Sequence, residues 1–405
     1  MPIEIRTPED VDVAALFAAD ARGFGFTYDQ EEIDRRRPVL DLTRYRVALE
    51  ASSIVGVAGS FAMDMSLPGG ASIPVGGVTW VSVAATHRRQ GLLRRLLAAI
   101  HTDIDDRDEP LAVLGASEGG IYGRFGYGVA ALMRRVSIEK RAAQVRDDVH
   151  LTPGSVRFME PDEAKSHVPA MWERVRRNRS GEMARDTTWW EMVFADQAKE
   201  EGGFAPAFRL RHDDGYATFQ IKHDWNEGQP GHQLSVVEFM AATDEAHAAL
   251  WHTILGVDLV GTVTSRRAVA VDDALPYLLT DPRTVRTVGL DDNLWVRPQR
   301  PAALLGARTY GSEDRLTVEL LPDEDAPAPV RYEVQGGSDG ASAKRVRRRP
   351  DLVLNRAGLG AISLGGVRPS VLERAGLITE AIPGALRRAD TFFSTDRAPH
   401  SQHRF

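Results

Sequence analysis

The sequence predicts a mixed α+β fold built from three successive units. Three observations carry that prediction: β-branched runs alternate with helices of leucine periodicity, one strand-into-helix arrangement occurs twice, and a third block of strands and short helices follows. A chain of 405 residues accords with several packed cores of ordinary size.

The first unit, residues 1–150, opens with a strand at IEIR and an Asp-led helix from Val11 to Arg22. Two strands follow, RYRVALEA and SIVGVAGSFAMDMSL, parted by Ser52 and Ser53. Next, VGGVTWVSVAA runs straight into HRRQGLLRRLLAAIHTDIDD, a strand feeding a helix through a basic, glycine-bearing turn. After Pro110 the apolar run LAVLGA reads as a buried strand, SEGGIYGRFGYG supplies a glycine-rich loop, and ALMRRVSIEK closes the unit as a strand.

The second unit, residues 151–290, repeats the scheme with a helix at TTWWEMVFAD, strands FAPAFRLRH and GYATFQIKH, then QLSVVEFMAATDEAHAALWHTIL. Its turn, Ala241 to Glu245, has no glycine and carries two acids where an anion would sit, so this copy is expected to lack the site of the first. The third unit, residues 291–405, starts near LWVRPQRPAALLGARTYG. It continues through strands RLTVEL and PVRYEV, the basic run KRVRRRP, LVLNRAGLGAISLGG and amphipathic helices to residue 390. The polar tail ADTFFSTDRAPHSQHRF ends on an aromatic residue.

Composition narrows the function classes. A net charge of -7 gives no general reason to expect a nucleic-acid partner, and the basic run Lys344 to Arg349 reads as a solvated face or strand edge. The absence of cysteine removes thiolate nucleophiles, disulfides and cysteine-ligated metals. His400 and His403 have a metal-like spacing but no acids at fixed offset, so no metal is expected. The acidic N-terminus and the lack of a long apolar run predict a cytoplasmic protein without a membrane segment.

Two segments carry chemistry. Arg88-Arg89-Gln90-Gly91-Leu92-Leu93-Arg94 lies where a strand ends and a helix begins. The unpaired amides of a helix start, with about half a positive charge, make a place for phosphate. Gly91 admits a pyrophosphate to the backbone, and Arg89 and Arg94 add charge; an ordinary basic helix start is the plain alternative. The glycines of the second segment, Ser117 to Tyr127, suggest a dinucleotide fingerprint, but their spacing is wrong and the preceding strand comes too late.

The first segment resembles the GNAT superfamily motif Arg/Gln-x-x-Gly-x-Gly/Ala, with Leu93 where a small residue is usual. That resemblance implies that Val81, Ser82 and Val83 pair through their backbone with the pantetheine arm of CoA. In the second segment Tyr122 stands where GNAT enzymes place a tyrosine beside the CoA sulfur, and Tyr127 replaces their final phenylalanine. Taken together, THRRQGLLR, ASEGGIYGRFGYG, LWVRPQRPAALLGARTYG and the terminal phenylalanine are similar to the Eis (enhanced intracellular survival) acetyltransferases of actinobacteria and some other bacteria.

What the resemblance implies is specific. The expected architecture is tandem GNAT folds, an N-terminal catalytic one and a central one without cofactor, then a domain like sterol carrier protein, with the chain assembled as a hexamer, a trimer of dimers. Acetyl-CoA as co-substrate is expected against Val81, Ser82, Val83, Arg89, Gln90, Gly91, Leu92, Leu93, Arg94, Ser117 and Glu118. Tyr122 is the expected general acid: a phenol with pKa of about 10 donates to a departing thiolate without being ionised at neutral pH. The proton acceptor is the terminal carboxylate of Phe405, which, with a solution pKa of about 3.5, is ionised at neutral pH.

The acceptors so implied are primary amines, of aminoglycoside-like polyamines or of lysine side chains, with Phe24 to Asp29 and Trp80 in the region of the substrate channel. Arg404 departs from the family, since aminoglycoside-acetylating relatives can carry an acid there, and an arginine repels a polycation. A non-catalytic CoA- or lipid-binding sensor on the same scaffold is the alternative, because fold alone does not fix function.

Overall fold

The computed structural model describes residues 3–200 and 202–405. The chain forms two compact units: Met1–Ala130, Leu294–Thr395 and Arg404–Phe405 in the first, Ala131–Asn293 and Asp396–His403 in the second.

The first unit begins β1 (Glu4–Arg6), α1 (Val13–Phe24), α2 (Gln30–Arg36), β2 (Tyr45–Glu50), β3 (Ser53–Ser66), β4 (Ser72–Val83), α3 (Leu92–Asp106) and β5 (Leu111–Leu114). The strands β1 to β4 form an antiparallel meander, β5 joins β4 in parallel, and Trp295 to Pro298 add an antiparallel strand to β5. A parallel neighbour requires a crossover, and α3 supplies it. Its Leu92, Leu96, Leu97, Ile100 and Ile104 recur every three or four residues and are buried together. They meet Ala48, Val55, Ala58, Val78 and Ala112 of the sheet. In the same unit the Arg44 guanidinium meets the Glu109 carboxylate at 2.7 Å, both side chains almost wholly buried. Removing one partner of such a pair leaves an uncompensated charge at about 3–5 kcal/mol.

The C-terminal part of this unit is a five-stranded sheet with Asp314–Leu320 at its centre. Helices cover it through Leu359, Ile362, Phe392 and Phe393, and Tyr310 stacks on Phe392 at 3.9 Å. Two glycines let the helix Arg356–Ile362 lie against neighbouring backbone. A Cβ on Gly360 would stand 2.0 Å from the Val296 carbonyl oxygen, and one on Gly128 would stand 1.9 Å from that of Ala357. The basic run lies on the edge strand Gly340–Val346 and just beyond it, where Lys344 and Arg348 approach Glu333 at 3.6 and 2.6 Å.

The second unit repeats the strand–helix–strand arrangement. Strand His232–Ala241 runs into helix Asp244–Gly256 and returns as Val260–Ser265, parallel to the first. Trp251, Leu250, Ile254 and Phe239 fill the core between helix and sheet. The two strands that feed helices, β4 and His232–Ala241, each carry a register shift, between Val57 and Gly59 opposite β4 and between Val236 and Glu238.

Candidate active site

The pairing of β4 with β5 covers only Val75 to Gly77 against Leu111 to Val113. Beyond Gly77, β4 continues to Val83 with no partner strand on that edge among the described residues. A bulge within this stretch places Trp80 at φ 52, a left-handed conformation that costs a β-bulge residue some strain and re-aims the strand. Val81, Ser82 and Val83 are half-buried. Gly23 of α1 is pressed onto Ser82, where a Cβ on the glycine would stand 2.4 Å from that of the serine.

The turn after β4 brings Arg89 to φ 65 and Gly91 to φ 76, and Gly91 caps α3 without a side-chain bond. The amides of Arg88 through Arg94 meet no acceptor among the described residues. The first-turn amides of α3 and those of the turn before it are thus left without a partner among the described residues, the feature that makes an anion site. Gln90 and Gly91 are exposed, Leu92 is buried, and Leu93 is half-buried against the apolar core. The bulk of Leu93 thus goes into packing, which accounts for a large residue where the motif usually has a small one. Arg94 is exposed, 3.5 Å from Glu324.

Ser117 and Glu118 are exposed at the start of α4 (Gly119–Tyr122), a single helical turn. Tyr122 ends that turn, 6 % exposed, in one apolar cluster with Val81, Val83 and Trp295. Burial, and then the negative charge of Glu118, push its phenol up to about 12. Tyr127 stacks edge-on to Tyr122 at 5.8 Å, and its hydroxyl meets His101 Nε2 at 2.9 Å. His101 is kept neutral by burial and by the charges of Arg297 and Arg356.

Phe405 belongs to the same unit. Its ring lies over Gly77, where a Cβ would come within 3.3 Å of it, at the point where β4 and β5 part. Arg404 is exposed. The bulge residue Trp80 heads an aromatic cluster, 4.9 Å from Phe17, 5.7 Å from Tyr45 and 6.2 Å from Tyr28, with Phe26 4.9 Å from Tyr28. Sequence reading overlooked Asp20. It is 2 % exposed on α1, accepts from the Tyr28 hydroxyl at 2.8 Å, and is pushed up to about 6 by burial. The signal was present: Asp20 follows Leu16 and Phe17 at helical spacing, on the face that faces inward. His400 and His403 are buried in the second unit, and no group of three or more metal-ligating side chains occurs among the described residues. No helix among the described residues is long and apolar enough to cross a membrane.

A strand edge left open by a bulge, beside a helix start with unpaired amides, presents a groove for an extended amide-bearing arm and a place for its pyrophosphate. The same chain is matched by the acetyltransferase (GNAT) domain family at residues 4–130 and again at 181–298, and by the sterol carrier protein domain family at 301–402. The chain is 34% identical over 404 residues to N-acetyltransferase Eis of Mycobacterium tuberculosis, covering 98% of each. An uncharacterized N-acetyltransferase of Streptomyces coelicolor is 38% identical over 374 residues, 88% of this chain and 87% of that one. The crystal structure of Eis1 from Mycobacterium abscessus matches with a TM-score of 0.88 at 30% identity, over 100% of both chains. The chain belongs to the Eis family of N-acetyltransferases. Its two GNAT folds and sterol-carrier-like domain are those the sequence predicted, and acetyl-CoA use follows from the GNAT fold.

Proposed function

We propose that this enzyme transfers acetyl from acetyl-CoA to a primary amine by direct attack on the thioester. The observation that carries the proposal is the open edge of β4 from Val78 to Val83 beside the unpaired amides of Arg88 to Arg94. On this reading the pantetheine arm lies along Val81, Ser82 and Val83, and the pyrophosphate lies at Arg89, Gln90, Gly91, Leu92, Leu93 and Arg94, with Ser117 and Glu118 on the far wall. The amine nitrogen bonds to the acyl carbon, the carbon–sulfur bond breaks, and backbone near Val83 polarises the carbonyl. Tyr122 protonates the departing sulfur; a phenol at about 12 still carries its proton at neutral pH. The carboxylate of Phe405 receives the proton of the amine.

The acceptor is an amine of an aminoglycoside-like compound or a lysine side chain, entering past Phe24 to Asp29 and Trp80. The exposed positive charge of Arg404 favours acceptors with few positive charges over polycations. In keeping with the family, a hexamer is the expected assembly, and the cytoplasm its place of work.

One glycine added after Phe405 displaces the carboxylate without touching the fold. Turnover is expected to fall about a hundredfold with acetyl-CoA KM little changed, and Tyr122→Phe is expected to do the same. Normal turnover in the glycine-extended chain removes the carboxylate from the mechanism.

A further inference from the structure

The two strands that feed helices do so through the same three letters, Ala84-Ala85-Thr86 and Ala241-Ala242-Thr243. Matching those letters sets Val237 on Trp80 and Phe239 on Ser82, and both strands have their bulge at this point. In the second unit, pairing with Val260–Ser265 ends at Val236, so Phe239 stands on an edge that corresponds to the open edge of β4. Here the edge is filled by the chain's own tail. The Gln402 side chain accepts from the Phe239 N–H at 2.9 Å and donates to the Phe239 carbonyl at 2.8 Å.

Other groups of the same unit hold the tail on either side of that contact. The Glu182 carboxylate, 1 % exposed, accepts from the Gln402 amide at 2.8 Å, the Ser401 hydroxyl at 3.1 Å and the His403 amide at 3.4 Å. Asn293 Nδ2 donates to the Ser401 carbonyl at 2.8 Å. Arg185, paired with Glu238 at 2.6 Å, donates to His403 Nδ1 at 3.0 Å.

We propose that the second GNAT fold has kept the strand-edge groove of an acyl-CoA site and reassigned it to the C-terminal tail, with Glu182 as the main positioning residue for the terminal carboxylate. The proposal rests on the Phe405 carboxylate being the proton acceptor. The Gln402 side chain has an N–H on the same side as its C=O and so satisfies both backbone groups of Phe239, the kind of strand-edge groups that the amides of a pantetheine arm would meet along its length. Only Arg404 lies between His403 and Phe405, so fixing Ser401 to His403 leaves the carboxylate few free torsions and limits the entropy lost on reaching its working geometry. Burial pushes the Glu182 carboxyl up, and the bonds it accepts from Gln402, Met183 and Ser401, with the charge of Arg185, pull it back toward the charged form that bonds most strongly.

Carboxypeptidase A, which removes C-terminal aromatic residues, reads the hold on the tail directly in the untagged full-length chain. Phenylalanine release, turnover and acetyl-CoA KM are followed in wild type, in Glu182→Gln, which is isosteric, and in Gln402→Ala, which alters only the tail. Both variants are expected to release phenylalanine about tenfold faster and to lose about tenfold or more in kcat, with acetyl-CoA KM within about twofold. Release no faster than wild type, or faster release with normal turnover, overturns the positioning role. Wild-type enzyme that keeps its turnover after Phe405 has gone fails the proton-acceptor mechanism instead, and faster release in the variants still supports the reassigned groove.

Discussion

His400 is 4 % exposed, and burial, followed by the charge of Arg179, brings its imidazole down from 6.5 to about 4, against the smaller opposing pull of Asp273 and Asp272. Between those two values the unfolded chain binds a proton that the folded chain does not, so stability rises with pH across the window and is lost as pH falls from 6.5 toward 4. The shift corresponds to roughly 3 kcal/mol. Urea melts from neutral to mildly acid pH are expected to show this loss, and His400→Gln to reduce its slope; equal slopes in both proteins count against the assignment. Tyr122 lies on the other side of the same balance. Burial moves a phenol away from ionisation, so the group read in sequence as a proton donor keeps its proton in the fold. That residue was legible because its glycine-rich setting is distinctive, whereas Asp20, one acid in an apolar helix, was passed over.

Helix starts differ in what they offer, and α3 and its counterpart in the second unit show how. Gly91 occupies the left-handed region with nothing within 4 Å of a Cβ placed there, so an alanine meets conformational strain and no clash. Gly91→Ala is expected to cost about 1 kcal/mol of stability and to raise acetyl-CoA KM several-fold while leaving kcat nearly constant. Steady-state kinetics beside a thermal melt separate the two effects, and an unchanged KM counts against a pyrophosphate at this turn. The helix Asp244–Gly256 starts otherwise: the Thr243 side chain accepts from the Ala246 amide, and Asp244 and Glu245 fill the first turn. Sequence reading placed both helices, but it set the first helix of the chain at Val11. A capping box between Glu9 and Asp12 instead makes a short 3-10 turn there, and α1 starts at Val13. It also passed over α2, a seven-residue helix capped by Asp29 and Glu32 that buries no residue fully and so has little apolar periodicity to detect.

For the whole molecule, two GNAT folds predict one acetyl-CoA site. The second helix start is capped and acidic, and the matching strand edge is held by Gln402. Calorimetric titration of the full chain with acetyl-CoA is expected to give a stoichiometry of about one per chain; a value near two returns the second fold to cofactor binding. Within the first unit, Gly360 and Gly128 bring the helix Arg356–Ile362 into backbone contact with its neighbours, a close approach that sequence periodicity does not report.

The sequence by itself determined the fold class, the repeated strand-into-helix unit, the glycine turn at Gly91 and the family, because each rests on local periodicity or on an uninterrupted motif. Tertiary structure alone decided three things: that β4 parts from β5 after Gly77, that the Phe405 ring lies over that point, and that Gln402 occupies the matching edge at Phe239. These depend on where a strand loses its partner and where a tail finds one. Such pairings join residues far apart in the chain, and no short window of sequence contains both partners.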